Sequence, residues 1–259
     1  MDLQALTARL RAANIENATG EARLLWETFQ GEALKKALAR RLTGYPLQYI
    51  LGEWYFYREV YEVNESCLIP RADTEILVEC AIKTLGNGAR FLDLCTGSGC
   101  VAISTLAARP DTTAIAVDLF PETLALATRN AAKNHVENRF TTVKYDVLHA
   151  PATGIFSGKF DAILSNPPYI SDSIIPTLQT EVSFEPLAAL AGGTDGLDFY
   201  RAILRNWVTY LKPGGIILFE IGYDQAEALA GLAANAGFTC EIKKDYGGQD
   251  RVAILFPRA

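Results

Sequence analysis

Apolar residues recur at helical spacing through positions 1 to 42: Leu3, Leu6 and Leu10, then Leu24, Leu25 and Phe29, then Leu34, Leu38 and Leu42. Side chains three and four apart share one face of a helix, so this stretch is predicted to form three or four short helices. Gly20 and Gly31 are the expected breaks between them. The pattern then changes. Aromatic and β-branched residues gather in "TGYPLQYILGEWYFYREVYEVNESCLIPR", and positions 54–63 are predicted to form an antiparallel hairpin. Helical spacing returns in "ADTEILVECAIKTLG", with Asp73 or Thr74 near its start and Ile76, Leu77, Cys80 and Ala81 on one face.

From Ala89 onward, short apolar runs alternate with amphipathic segments. The predicted strands are "RFLDLC", "TTAIAVD", "FTTVKYD", "FDAILSN", "GGIILFEIG", "FTCEIKK" and "RVAILFP". The predicted helices between them include "GCVAISTLAARP", "PETLALATRNAAKNH", "LDFYRAILRNWVTYLK" and "YDQAEALAGLAANAG". This alternation predicts a mostly parallel sheet covered by helices on both faces. Only "DYGGQD" separates the last two strands, too little for a parallel crossover, so they are expected to close as an antiparallel hairpin.

Several strand ends carry candidate chemistry. "FLDLCTGSGC" places Asp93, Thr96, Gly97, Ser98 and Gly99 between a strand and a helix. Glycines at such a turn let the backbone approach a ligand, although a tight turn alone also needs them. The spacing is not that of a pyrophosphate fingerprint. An acid four residues before the first glycine suits a ligand with cationic groups and no phosphate, such as S-adenosylmethionine. Asp118 ends the next strand, where a carboxylate can accept from two ribose hydroxyls, and Asp146 follows the third, where an adenine amine can be read. Each acid by itself also suits a turn or a helix cap. Together with Asn166 they fall at four successive strand ends, where ligands of open α/β sheets sit.

Asn166 opens "NPPY". Pro167 lacks an N–H and has a fixed φ, and Pro168 pushes it towards an extended conformation. The Asn166 side-chain oxygen and the Pro167 carbonyl can then face one region, matching the two hydrogens of a planar –NH2 group. Tyr169 offers a ring face for a flat conjugated group. The lone pair of such a nitrogen is delocalised, so transfer to it relies on orientation and electrostatics rather than a strong base. A rigid proline turn leaving a buried strand is the plainer alternative.

Composition narrows the field. With 49% apolar residues a sizeable core is available. The 24 basic and 30 acidic residues give a formal charge of −6, the wrong sign for a general nucleic-acid surface. Five cysteines without a CxxC pair predict reduced thiols, and two histidines in polar surroundings make a metal site unexpected. The first 20 residues lack the apolar core of a signal segment, and no run suits a membrane span.

"DLCTGSG" and "NPPY" resemble class I methyltransferases that use S-adenosylmethionine and act on planar amine or amide nitrogens. More closely, the chain resembles the protein-glutamine methyltransferases of peptide chain release factors. "LIPRADTEILVE", "DLCTGSG", "SNPPYI", "FEPLAALAGGTDGLDFYR", "FEIGYDQ" and "DYGGQDRV" carry that resemblance in the family's order, from about residue 44 onward. The first 40 residues match only in type and length.

The resemblance implies a class I (Rossmann-like) α/β fold with a seven-stranded sheet. Residues 1–72 would form a helical substrate-recognition domain with a hairpin linker, and 73–259 the methyltransferase domain. It implies methyl transfer to the side-chain amide of the glutamine in a release factor's Gly-Gly-Gln motif. Asn166, Pro167, Pro168 and Tyr169 would form the catalytic clamp. Asp93, Thr96, Gly97, Ser98, Gly99, Asp118, Leu119, Asp146, Val147 and Asn166 would hold the cofactor. Arg71 and Glu75 would lie near the substrate, with a salt bridge or a helix cap as their other reading. The hairpin aromatics Trp54, Tyr55, Phe56 and Tyr57 would dock the protein substrate, or else fill the small domain's own core. "GGTDG" would shape the substrate mouth or serve only as a turn.

A cytoplasmic monomer, with release factors as partners and neither membrane nor nucleic acid, is the expectation. Cys95 stands where the family often has glycine. Gln249 stands where a basic residue is common and creates a chance Gly-Gly-Gln at 247–249. The rival readings are an adenine or cytosine amino methyltransferase and a non-catalytic cofactor-binding module.

Overall fold

The computed structural model describes residues 2–258. Helices α1 (Leu3–Ala12), α2 (Ala18–Thr28), α3 (Gly31–Arg41) and α4 (Leu47–Leu51) form the first group. Asp2 and Asn17 start α1 and α2 by accepting from the backbone N–H three residues on, at 2.8 and 3.2 Å. Gly20 therefore lies inside α2 and not between helices, contrary to the sequence expectation. A Cβ there would sit 2.6 Å from the capping Asn17 oxygen, so the glycine makes room for the cap. Leu6, Leu10, Ala22, Leu25 and Leu38 are fully or almost fully buried in this group's own core, while Leu3 and Leu24 leave that face. Each fully buried leucine contributes roughly 1.5–3 kcal/mol.

Strands β1 (Glu53–Phe56) and β2 (Glu59–Glu62) pair antiparallel, with Trp54 opposite Tyr61. The Tyr61 hydroxyl bonds Ser104 Oγ at 2.6 Å, and Asn130 exchanges two hydrogen bonds with the Glu62 backbone. Phe56 and Tyr61 are buried in the main core, with Trp54 and Tyr57 packed against it. Of the four aromatics expected to meet a partner or fill the helical core, only Tyr55 is broadly exposed, at 79%.

The main sheet contains β3 (Arg90–Leu94), β4 (Thr113–Asp118), β5 (Phe140–Lys144), β6 (Phe160–Ser165), β7 (Leu211–Glu220), β8 (Phe238–Lys244) and β9 (Asp250–Pro257). Their order is β5-β4-β3-β6-β7-β9-β8, with β9 antiparallel to both neighbours and the rest of the ladder parallel. Helices α5 (Glu75–Thr84), α6 (Cys100–Ala108), α7 (Pro121–Lys133), α8 (Asp198–Asn206) and α9 (Ala226–Asn235) cover it. Alternation divides each strand between two cores: Ala162 and Leu164 pack on one side of β6, Ile163 on the other.

The long helix expected from Leu197 to Lys212 is shorter than its pattern. α8 stops at Asn206, a 3-10 turn spans Val208–Tyr210, and β7 begins at Leu211. The turn seats Trp207 in the core, its Nε1–H donating to the Val147 carbonyl at 2.9 Å. Among the described residues no helix is long and apolar enough to cross a membrane, all five cysteines are free, and no metal-ligating cluster occurs.

The chain runs from β3 outward through β4 to β5, then returns to β6 on the other side of β3. That reversal opens a crevice beyond the carboxyl ends of β3 and β6, where open α/β sheets place ligands.

Candidate active site

The loop after β3 is held open by its backbone. Cys95, Gly97 and Gly99 take φ of +60°, +55° and +82°. At Cys95 a left-handed L-residue costs about 1–2 kcal/mol. At Gly99, φ +82°, a Cβ would meet the end of the Ile103 side chain at 2.7 Å, so any other residue there adds left-handed strain and displaces Ile103. Thr96 N–H donates to the Val117 carbonyl at 3.1 Å, and Gly97 N–H to Asp118 Oδ2 at 3.0 Å. The loop is thereby stitched to the end of β4.

A cavity of about 310 Å³ lies beyond these strand ends, at the lower end of ordinary small-ligand sites. Cys95, Thr96, Gly97, Ser98, Asp118, Leu119, Asp146, Val147, Asn166, Pro168, Arg71 and Thr74 all line it. Burial raises the Asp118 carboxyl above its ordinary value, against the opposing N–H groups of Gly97 and Phe120. Asp146 accepts from Leu148 N–H at 3.0 Å and meets His149 Nδ1 at 2.9 Å. Two stretches that overlap motifs carrying the resemblance, but to which the sequence reading gave no site role, complete the wall. One is the linker 66–70; the other is 186–191, which contributes Pro186, Ala188, Ala189 and Ala191. The first is irregular chain and the second holds only the 3-10 turn Leu187–Ala189, so neither shows a strand or helix period.

Five expected site residues lie outside the lining. Asp93 is buried beneath the loop and accepts from Thr96 Oγ1–H at 2.6 Å. Gly99 turns the chain into α6. Glu75 accepts from Tyr57 N–H at 2.9 Å and so braces the hairpin turn, where Tyr57 takes φ +57°. Pro167 is absent from the wall, although its neighbours Asn166 and Pro168 form part of it. Tyr169 directs its hydroxyl away to Glu220, donating at 3.3 Å. Arg71 is on the wall and ion-paired to Glu185, a buried carboxylate that also accepts from Ile69 N–H at 3.0 Å.

"GGTDG" grips the NPPY backbone from behind. A Cβ at Gly192 would lie 2.8 Å from the Pro168 carbonyl oxygen, and one at Gly196 would lie 2.3 Å from that of Tyr169. Ile170 N–H donates to the Leu190 carbonyl and Gly192 N–H to that of Ile170, at 3.0 and 2.8 Å. Gln225 Nε2–H donates to Tyr169 O at 3.0 Å and Gly196 O at 3.2 Å, tying the two loops together. Gln225 is thus a structural partner of the clamp that strand and helix patterns did not reveal. Gln249, by contrast, sits in a tight turn, its N–H donating to Asp245 Oδ1 at 2.9 Å.

Two buried side-chain atoms among the described residues lack hydrogen-bond partners: Ser98 Oγ and Glu220 Oε2. Burial pushes both Asp93 and Glu220 up to about 7. With folded values above the unfolded ones, their stabilising contribution is complete below the ordinary carboxylate range and is lost as pH rises through about 7. The ligand-free protein is therefore expected to lose thermal stability between pH 5 and 8. Glu220→Gln is expected to restore as much as about 3 kcal/mol at pH 8 and little at pH 4. Thermal melts across that range check this; a midpoint unchanged by the substitution at pH 8 contradicts it.

The Methyltransferase small domain family matches residues 72–182, the span from the turn before α5 to beyond the clamp. A release factor glutamine methyltransferase of Thermodesulfovibrio yellowstonii is 42% identical over 232 residues, covering 87% of this chain and 81% of that one. One of Cereibacter sphaeroides is 38% identical over 279 residues, covering 99% and 98%. The chain belongs to the release factor glutamine methyltransferase family. A methyltransferase from Pyrococcus furiosus is 20% identical, covers 77% of this chain and 88% of that one, and superposes with a TM-score of 0.57. That likeness concerns the fold, and it agrees with the class I sheet expected for the family.

Proposed function

We propose that this protein transfers a methyl group from S-adenosylmethionine to the side-chain amide nitrogen of the glutamine in the Gly-Gly-Gln motif of peptide chain release factors, as a cytoplasmic monomer. The observation that carries the reading is the state of Asn166. Its Nδ2–H donates to Thr74 Oγ1 at 3.2 Å, which leaves Oδ1 as the group available to a substrate –NH2. It stands on the wall of an acid-bearing cavity.

The residues present suit the cofactor. Asp118 and Asp146 are acceptors on the cavity wall, and Ser98 offers a buried hydroxyl without a partner. When bound, the cofactor supplies an electrophilic methyl on a sulfonium. Asp118, whose oxygens already steady Gly97 and Phe120, is assigned the ribose hydroxyls, and Asp146 the adenine amine. Asn166 Oδ1 and the Pro167 carbonyl are assigned the two glutamine amide hydrogens. Holding both stabilises the pyramidal nitrogen of the transition state more than the flat amide of the ground state. The Gln225 and Gly196 contacts keep this loop rigid, so orientation is established before substrate arrives.

Asp118→Asn is expected to weaken cofactor binding about 10- to 100-fold, since it replaces charged acceptors by one neutral acceptor. Turnover at saturating cofactor should change little. Calorimetry and steady-state rates separate the two, and unaltered affinity would contradict the assignment.

The helical module is assigned to docking of the release factor. Arg41, almost wholly buried, joins Glu21 of α2 to Glu181 of the segment after the clamp, at 2.5 Å to each. Exchanging residues 1–42 for an unrelated helical module should reduce activity on whole release factor far more than cofactor affinity; equal losses would sink this assignment.

The function itself is tested by incubating the protein with S-adenosylmethionine and, separately, a release factor, duplex DNA and single-stranded RNA. Methyl incorporation into the protein alone is the expected result. Incorporation into a base would keep the clamp chemistry and overturn the substrate, and incorporation into none would favour a binding module.

A further inference from the structure

Arg41 ends α3 yet is only 3% exposed, and the clamp chemistry gives it no task. A guanidinium is always charged in proteins and is costly to bury unless it is paired. Its partners here come from two distant parts of the chain. Nε–H and Nη2–H donate to the two carboxylate oxygens of Glu21 on α2, at 2.5 and 3.0 Å. Nη2–H also donates to Glu181 Oε1 at 2.5 Å, across 140 positions of sequence.

Glu181 is partly exposed and lies in the 3-10 turn Thr180–Phe184. The helical module meets this turn at two further points. A Cβ on Gly44 would come within 3.0 Å of the Thr180 side chain, and the Tyr45 ring meets the Phe184 ring edge-on, at 5.2 Å between centroids. The next residue, Glu185, is buried and accepts from Ile69 N–H. From there the chain becomes cavity wall through Pro186, Ala188, Ala189 and Ala191. It then reaches the clamp: Leu190 O accepts from Ile170 N–H at 3.0 Å, and Gly192 N–H donates to Ile170 O at 2.8 Å.

We infer that Arg41 is a positioning residue: through Glu181 it fixes the 180–192 stretch, and with it the backbone that follows NPPY. That stretch holds only two short 3-10 turns, Thr180–Phe184 and Leu187–Ala189, so its shape is set by what grips its two ends. A planar guanidinium suits the first grip, because its fork engages Glu21 from two nitrogens while a further N–H reaches Glu181; an ammonium lacks that geometry. The helical module thus sets part of the site's geometry as well as docking the partner. The inference rests on the proposed reaction for its purpose, while its first test needs no substrate.

That test is amide hydrogen exchange at Ile170 and Gly192 in the free protein. Glu181→Ala leaves Arg41 paired with Glu21, so the module stays folded, and exchange at both amides should quicken about 10-fold. Amides inside α2 and α3 should keep the parent rates. Glu181→Gln retains an oxygen for the Arg41 N–H and should restore most of the protection. Glu27→Ala, which removes an exposed pair with Arg23 on the same module, should leave Ile170 and Gly192 unchanged. With release factor and saturating S-adenosylmethionine, Glu181→Ala should lower kcat about 10-fold at unchanged KM for the release factor, and Glu181→Gln should recover most of that loss.

Parent exchange rates at Ile170 and Gly192 in Glu181→Ala overturn the inference. A raised KM with intact kcat also overturns it, since Glu181 would then be a docking contact. A Glu181→Gln enzyme as slow as Glu181→Ala does the same. Quickened exchange in Glu181→Ala, with a parent protein that modifies no release factor, would refute the proposed function and leave the tether standing.

Discussion

Asn166→Ala is expected to lower methyl transfer about 100- to 1,000-fold, the usual consequence of removing one preorganised transition-state contact. Cofactor affinity should stay close to that of the parent protein, because the assigned cofactor acceptors lie on other strands. The substitution removes the one amide oxygen in the cavity that is left free by its neighbours, while Asp118, Asp146 and the 95–99 loop keep their hydrogen bonds. Asn166→Asp is the informative companion. It keeps an acceptor but cannot donate to Thr74, and it places a carboxylate at a part-buried position, so it should retain some transfer with a marked dependence on pH. Rates at saturating cofactor, with calorimetry of cofactor binding, separate the effects. Near-normal turnover in Asn166→Ala would end the clamp argument, and a parallel collapse of cofactor affinity would show that Asn166 serves the cofactor instead.

The second large effect is expected at Gly196, a residue outside the cavity wall. Its φ is +75°, and a Cβ would fall 2.3 Å from the Tyr169 carbonyl oxygen and 2.7 Å from Gln225 Nε2. The Gln225 bridge must therefore break or the NPPY backbone must move. Left-handed strain of about 1–2 kcal/mol adds to the loss of buried hydrogen bonds, giving a destabilisation of about 3 kcal/mol for Gly196→Ala. The thermal midpoint should fall by roughly 6–12 °C. Transfer should fall about 100-fold even where the protein remains folded, since a shift near 1 Å at the reacting group has that consequence. Gly214→Ala is the control. Gly214 has φ +81°, and a Cβ there would meet no atom within 4 Å, so it carries the strain without the collision. A Gly196→Ala enzyme no worse than the Gly214→Ala enzyme would show that "GGTDG" is only a turn.

What the sequence revealed follows from which interactions are periodic. Apolar alternation marked all seven main strands, and the short link "DYGGQD" settled the direction of the last pair. The acids and Asn166 were legible because they interrupt apolar runs at strand ends. Whether each would face the ligand was not legible. Asp93 lies one residue before the end of β3 and Asp118 ends β4, yet Asp93 turns under the loop to Thr96 while Asp118 reaches the wall. The bond from the Tyr169 hydroxyl to Glu220 was likewise not legible, since the ring was all the pattern pointed to. Glu185 acts on Ile69 and Gln225 on Tyr169 and Gly196, all distant in the chain, so no local spacing marked their roles. Gly20 looked like a break because a glycine inside a helix is usually disfavoured; only the position of the Asn17 cap explains it.

The central claim is that the clamp presents the nitrogen of a glutamine amide for methylation, and a fragment-ion mass spectrum of the release factor after reaction tests it most directly. The account predicts one methyl group, located on the side chain of the Gly-Gly-Gln glutamine, and none when Asn166 is alanine. A methyl group on any other residue, or the same modification from the Asn166→Ala protein, would contradict it.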